Sequence, residues 1–433
     1  PVIKRPRHMG SRLLMAAALL ALSACATTEG VRDVPRRATD TSERRLAADD
    51  SLVATVQLHA GTGENALPVL QLDRGVPLRL AFDVLSRNPR PLTVTFYHAD
   101  RSWKRDLMPA EYMARFQRDD ILDYRPSRST RVDYVHYEYT FPNSAIGFRL
   151  SGNYILRVHE QGREDAVLFE RPFFVTEQAV ALDVRMDNVL VAGRQYSSIQ
   201  PVVRFRPQDP SASVFDYSVC FLRDALYNAM RCVDRPSLET SPDLLFYLEP
   251  RESFTPLPVP FYLNLANARP GGRILRVDRQ NAPWRIWVEP DLAELGGSTM
   301  DPFLNGQARI QRAAGARPEA DYGAEYVSVR LRLVPPGNQP VAAEVGVVGT
   351  FSGWQWDRAH LLSWNGQEGW YEGDILMKEG EHSYRYVSSS RGLQQALEIG
   401  MPQLENLFTT LVYHSDIRTQ SDRLIAVQGI FSR

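Results

Sequence analysis

The residue whose surroundings point most directly to chemistry is Cys25. It follows Leu22, Ser23 and Ala24 and closes a short apolar run, Leu13 to Leu22, that begins after Arg12. A basic start, about ten apolar residues and small residues before a cleavage point make a secretory signal. A Cys directly after Leu-Ser-Ala has the form of a bacterial lipobox, whose thiol is acylated and becomes the mature N-terminus. The run is too short to span a membrane, which takes about 20 apolar residues. Residues 1–25 are therefore expected to be a lipoprotein signal peptide with Cys25 as the lipid attachment site. Met9 or Met15 would be the start, and Pro1 to His8 would lie upstream of it. At about 0.8 kcal/mol per buried methylene, several acyl chains hold where one is marginal. Ala26 is not an acidic inner-membrane retention residue, so the expected address is the outer membrane, lipid-anchored and facing the periplasm.

Cys220 and Cys232 are the other cysteines. Export places them where disulfides persist. Val219-Cys220-Phe221 and Arg231-Cys232-Val233 can fold as a hairpin with its tip near Leu226, setting the two thiols face to face. Two unlinked thiols, one of them buried, is the other reading. Neither Cys has His neighbours at ligand spacing, so a zinc site is not expected.

The remaining side chains offer little for catalysis. The eight histidines are scattered, and none has the i,i+4 spacing of a metalloprotease helix. His98-Ala99-Asp100 reads as a packed or capping His rather than a catalytic pair. Asp49-Asp50 and Asp119-Asp120 sit in polar surroundings and read as solvated, with no sign of the facing pair that a glycosidase needs. There is no Gly-x-Ser-x-Gly elbow and no phosphate loop. The expectation is a non-enzyme without a cofactor. With 50 basic and 51 acidic residues spread along the chain and a net charge of −1, there is no basic stripe for phosphates. Nucleic acid is not an expected partner.

Aromatic residues near the end are more suggestive. Gly349-Thr350-Phe351-Ser352-Gly353-Trp354-Gln355-Trp356 is followed by Trp364, Trp370-Tyr371, and Leu376-Met377-Lys378-Glu379-Gly380. Gly-x-Phe-x-x-Trp, a strand and a Lys-x-Gly turn resemble the early-set sandwich modules of starch- and glycogen-handling proteins. In such modules exposed Trp faces cover the apolar face of a sugar. Trp354 and Trp356 are the candidate stacking residues for polysaccharide, against a plainer reading as packing of the same fold.

The elements that carry these residues read as strands. Leu92 to Phe96, Val135 to Phe141, Tyr154 to Val158 and Val327 to Leu333 alternate apolar and polar side chains, the mark of half-buried antiparallel strands. Asn88-Pro89, Gly152-Asn153 and Pro335-Pro336-Gly337 supply turns. Glu111 to Leu122 is the one helix candidate, with a loop as the other reading. The fold expected is all-β, a tandem of immunoglobulin-like sandwiches, the last of early-set type. The expected order is a polar tether at 26–50, an N-terminal sandwich at 51–178, a middle β-rich domain at 179–318 and a C-terminal sandwich at 322–433. Arg312 to Pro318 would be a linker.

Taken in order, several blocks add up to a more specific likeness. They are His98-Ala99-Asp100-Arg101-Ser102-Trp103-Lys104, Tyr134-Val135-His136-Tyr137 leading to Phe141-Pro142-Asn143, Ser151-Gly152-Asn153-Tyr154-Ile155-Leu156, Gly349 to Trp354, Leu376 to Gly380, and Asp422-Arg423-Leu424-Ile425. The succession resembles the plug protein family of the type IX secretion system, over about 50 to 433. The resemblance implies periplasmic sandwiches that cap the giant outer-membrane translocon barrel, a role in binding rather than catalysis. Trp103, Lys104 and Tyr124, with the excursion from Arg105 to Ser129, are the candidate contacts with that partner. The plainer reading of the excursion is that it covers its own sandwich edge. The middle departs from the family pattern at Ala225-Leu226-Tyr227-Asn228, and the lipid anchor rests on Cys25 alone.

Overall fold

The computed structural model describes residues 49–432, except 62–66, 73, 195, 210–211, 238–241, 258, 298–302, 312–320 and 399–405. Cys25, the signal peptide, the tether up to residue 48 and the expected linker lie outside the described residues. Ser42–Arg433 form one compact unit. Among the described residues no helix is long and apolar enough to cross a membrane.

The first sandwich is built from β1 (Val53–Ala60), β2 (Val69–Gln71), β3 (Leu78–Val84), β4 (Leu92–Ala99), β5 (Arg118–Ile121), β6 (Asp123–Pro126), β7 (Val135–Phe141), β8 (Gly152–Glu160) and β9 (Arg163–Thr176). One sheet runs β1-β3-β7-β6 and the other β2-β9-β8-β4-β5. The two-residue period of β7 sends Val135, Tyr137, Tyr139 and Phe141 into the core, where Phe82, Phe96, Phe169 and Phe173 meet them. The stretch read as a helix candidate is mostly something else. A single helical turn, Pro109–Tyr112, ends before β5, and β5 and β6 then close one edge of each sheet. Tyr112 donates to the Phe96 carbonyl at 2.9 Å, and Met113 and Phe116 bridge to Phe148 and Ile146. Tertiary pairing thus overrides the local helical pattern.

The remaining strands are β10 (Leu182–Val189), β11 (Ser198–Phe205), β12 (Tyr217–Arg223), β13 (Arg231–Val233), β14 (Leu244–Tyr247), β15 (Phe261–Asn264), β16 (Ile274–Asp278), β17 (Trp284–Val288), β18 (Asp291–Leu292), β19 (Arg309–Ile310), β20 (Tyr326–Val334), β21 (Val345–Gly349), β22 (Ser363–Asn365), β23 (Trp370–Lys378), β24 (Gly380–Ser388), β25 (Leu407–Asp416) and β26 (Ser421–Phe431). Their pairing corrects the expected domain order. Sheet β10-β11-β14 faces sheet β13-β12-β25-β26, so the closing hairpin belongs to the middle sandwich and not to the aromatic C-terminal one. The core of this middle sandwich joins Val203, Phe205, Val219, Phe221 and Phe246 to Phe408, Val412 and Ile425. The third sandwich holds β15 to β24 and is inserted between β14 and β25. Tyr217 to Leu222 has no polar alternation beyond Ser218 because β12 is buried on both faces. Cys220 and Cys232 are opposed in register on β12 and β13, and their sulfurs are bonded.

The insertion makes a prediction. A chain ending at Glu398 loses β25 and β26 and leaves Phe221 and Phe246 without Phe408 and Val412. Limited proteolysis should digest residues 179–254 rapidly while the first sandwich survives as a resistant fragment. Equal resistance of residues 179–254 in both chains would contradict the shared core.

Candidate functional site

The sequence blocks that stand out converge on two joints between sandwiches. At the first joint, Asp100 organises a tight turn. Its Oδ1 accepts from the Ser102 amide at 2.9 Å, the Ser102 hydroxyl at 2.7 Å and the Lys104 amide at 2.9 Å. The turn holds Trp103 at φ 66°. Its ring then packs 5.5 Å from Phe174 of β9 and 6.4 Å from Tyr227, beyond β12. Trp103 is thus a contact within the chain, between the first and middle sandwiches. Gly152, at φ 147°, sits so close to His98 that a Cβ would lie 2.3 Å from Nε2. Next to it the Asn153 Oδ1 accepts from the Tyr413 hydroxyl at 2.7 Å, with both residues fully buried. Arg101 meets Asp422 at 3.3 Å, and Arg423 meets Glu177 at 2.7 Å. Cys220, Leu222, Leu411 and Leu424 fill the space behind these contacts.

The second joint, between the first and third sandwiches, is polar and buried. Lys378 of β23 and Asp83 of β3 form an ion pair at 2.6 Å, each side chain 1% exposed. The Asp83 Oδ2 also accepts from the Tyr326 hydroxyl at 2.6 Å, and its Oδ1 is 2.7 Å from His136 Nδ1. The Lys378 ammonium lies 4.4 Å from the Tyr134 ring centre, and the Tyr134 hydroxyl donates to the Ala324 carbonyl at 2.9 Å. Burial pushes the Asp83 carboxyl up, but Lys378 and His136 outweigh it and hold the carboxyl below its usual range. Burial opposes the charged form of His136, yet hydrogen bonds to Asp83 and Glu138 leave its pKa raised. The hydrogen bond from His136, aided by Arg79, holds Glu138 down at about 2.

His136, Glu138 and Asp321 are also the grouping of metal-ligand type among the described residues. Arg79 bonds both carboxylates, at 2.8 and 3.0 Å. A protonated His136 donates from both nitrogens and cannot ligate. With Arg79 between the carboxylates, the three residues form an ion-pair network.

Between the joints lies a groove of about 720 Å³, lined by Val53–Leu58 of β1 and Asp374–Lys378 of β23, with Trp103, Tyr227, Trp354 and Trp356 at its sides. Trp354 is engaged within the chain. Its Nε1 donates to the Gly306 carbonyl at 2.7 Å, and the Arg385 guanidinium lies 5.5 Å from its ring centre. Trp356 is 40% exposed, so a sugar-stacking role for this module would rest mainly on that ring. Lys104 is exposed, and Tyr124 on β6 is exposed with its ring 5.7 Å from Tyr137. Asp83, Lys378 and Tyr326 were not legible as a site. Asp83 falls on the polar side of an alternating strand and reads as solvated; the only hint was the Lys-x-Gly turn.

Fold and joints together define an all-β scaffold of three sandwiches, one inserted in another, held as a unit by buried polar contacts. Residues 53–177 match the family described as type 9 secretion system plug protein 1st domain. The match covers the first sandwich and supports a plug-family origin for that domain. A hypothetical protein from Parabacteroides merdae ATCC 43184 shares the fold, with a TM-score of 0.80 at 20% identity over 89% of this chain and 99% of that one. A likeness to native E. coli alpha-2-macroglobulin, with a TM-score of 0.18 at 11% identity over 89% of this chain and 23% of that one, bears on neither fold nor function. No curated protein matches the chain.

Two predictions follow from the second joint. Lys378→Met removes the ammonium from a buried carboxylate and should cost up to about 3–5 kcal/mol in urea unfolding. Asp83→Asn combined with Lys378→Met should recover much of that loss. The stabilisation from His136 is complete below its ordinary value near 6.5 and fades as pH rises through the raised folded value. That from Asp83 and Glu138 is complete above the ordinary carboxylate range and is lost as pH falls through their lowered folded values, about 2 for Glu138. The melting-temperature gap between the native protein and His136→Gln should therefore be widest near about pH 5–6 and shrink in alkaline buffer. A gap that does not change up to alkaline pH would show that His136 is neutral in the fold.

Proposed function

We propose that this chain is a non-enzymatic plug subunit that seals the periplasmic side of the type IX secretion translocon pore through protein–protein contacts. Its place would be the outer membrane, lipid-anchored at Cys25 and facing the periplasm. The observation that carries this reading is the plug-family first domain at residues 53–177. The two joints support it. A stopper must resist being pushed apart, and buried hydrogen bonds and ion pairs fasten the first sandwich to both of the others.

The partner surface follows from exposure. Trp103 is committed to the first joint, whereas the Arg105 to Ser129 excursion leaves Met108, Phe116, Leu122 and Tyr124 exposed at 71%, 70%, 82% and 45%. Four large apolar side chains held open on one short excursion suit contact with another protein. Lys104 stands exposed just before them.

The test is recovery of the giant barrel protein with the intact subunit from envelope extracts. Met108→Asp with Phe116→Asp should reduce recovery at least tenfold, and loss of the subunit should raise uptake of a large dye across the outer membrane. Failure to recover the barrel, or retention of the subunit on starch lost in Trp356→Ala, would favour polysaccharide binding instead.

A further inference from the structure

The groove is bounded by two strand edges that no strand among the described residues covers. Among the described residues β1 is the outer strand of its sheet and pairs only with β3. β23 pairs with β20 along Tyr371–Lys378, whereas β22 covers its other side only at Trp370, Tyr371 and Glu372. Among the described residues no strand pairs with the second edge of Asp374–Met377. The lining pattern shows that these edges, and not the sheet faces, form the walls. A face presents every second residue of a strand. The groove is lined by consecutive ones, Val53 to Leu58 and Asp374 to Lys378. The β23 wall is five residues long, about 17 Å at 3.3 Å per residue. β1 has a bulge between Ala54 and Gln57, with Thr55 at φ 52°, which hinders continuous pairing on that side. β23 has no such block.

We propose that this groove receives an extended peptide strand from a partner protein, which adds to the bare edge of β23 while β1 forms the opposite wall. The chemistry of the occupant follows from the lining. Phe351, Trp354, Trp356 and Leu376 present apolar surface to alternate side chains of an added strand. The cations in the lining are already paired, Lys378 with Asp83 and Arg171 with Asp49. Among the described residues Asp357 has only His360 as an ion partner and Asp50 forms no ion pair. The groove therefore favours a peptide in which apolar residues alternate with Lys or Arg. The inference goes beyond the sealing reading and does not depend on it, since strand binding is measured in solution without a barrel.

The experiment uses a fluorescein-labelled peptide of four Lys-Val repeats, the full chain, and fluorescence anisotropy with amide hydrogen exchange. Saturable binding is expected, with slower exchange over Gly373–Met377. Methylation of alternate peptide nitrogens removes the donors a strand needs and should weaken binding at least tenfold. Replacing Lys by Glu in the peptide should weaken it several-fold, and Asp357→Asn, which keeps the cap on Ala359, should narrow that difference. Equal binding of the methylated peptide, or no change in exchange over Gly373–Met377, overturns the proposal. So does a protein dimer that excludes the peptide, because the occupant would then be a second copy of the chain.

Discussion

The arrangement of the whole molecule depends on a buried ion pair, Lys378 with Asp83. Two charges that are each 1% exposed are stable only when every remaining donor and acceptor is met. Tyr326 and His136 complete the carboxylate, and the Tyr134 ring faces the ammonium. Neither Asp83 nor Lys378 finds all of its partners within one sandwich. Asp83 and His136 come from the first, Lys378 and Tyr326 from the third. The angle between the two sandwiches is thereby specified by hydrogen-bond geometry, which is more selective than apolar contact. The groove beside the joint inherits its width from the same contacts, since Lys378 ends the β23 wall and Thr55 of β1 is 2.7 Å from the Tyr326 hydroxyl.

The first joint works by a different mixture. Trp103, Phe174, Tyr227 and Leu411 supply apolar burial, while Asn153 with Tyr413 and Glu177 with Arg423 fix the register. Because β26 also closes the middle sandwich, this joint ties the first sandwich to the hairpin that completes its neighbour. Insertion of the third sandwich between β14 and β25 brings the chain back to that hairpin. The three modules are thus linked in a ring of contacts, first to middle, middle to third by covalent continuity, and third to first by the buried pair. Such closure suits a protein whose proposed task is to hold a shape against a pore.

Much of the fold was legible in the sequence. The alternation in β4, β7, β8 and β20 set strand positions and inward faces, because a period of two along a half-buried strand leaves no other solution. A hairpin that sets Cys220 opposite Cys232 was legible, whereas the bond between them was one of two open readings and is decided by the structure. The blocks from His98 to Lys104, Ser151 to Leu156 and Asp422 to Ile425 carried the family resemblance. Their physical content was hidden until the fold placed them side by side at one joint. The family resemblance makes Trp103, as a loop aromatic, a candidate contact for another protein, and its neighbours within the chain are not visible in the sequence. Phe174 and Tyr227 lie far along the chain.

What the sequence by itself determined was local: strand, turn, the opposition of Cys220 and Cys232 across a hairpin and the all-β class, each set by patterns a few residues long. Only the tertiary structure decided that Leu407–Phe431 complete the middle sandwich, that Asp83 and Lys378 are buried, and that β1 and β23 face each other across a groove with edges unpaired among the described residues. The reason is that a strand pattern says which side chains turn inward but not which strand lies alongside. Pairing partners, and with them the burial of any polar face, are set by contacts between residues hundreds of positions apart.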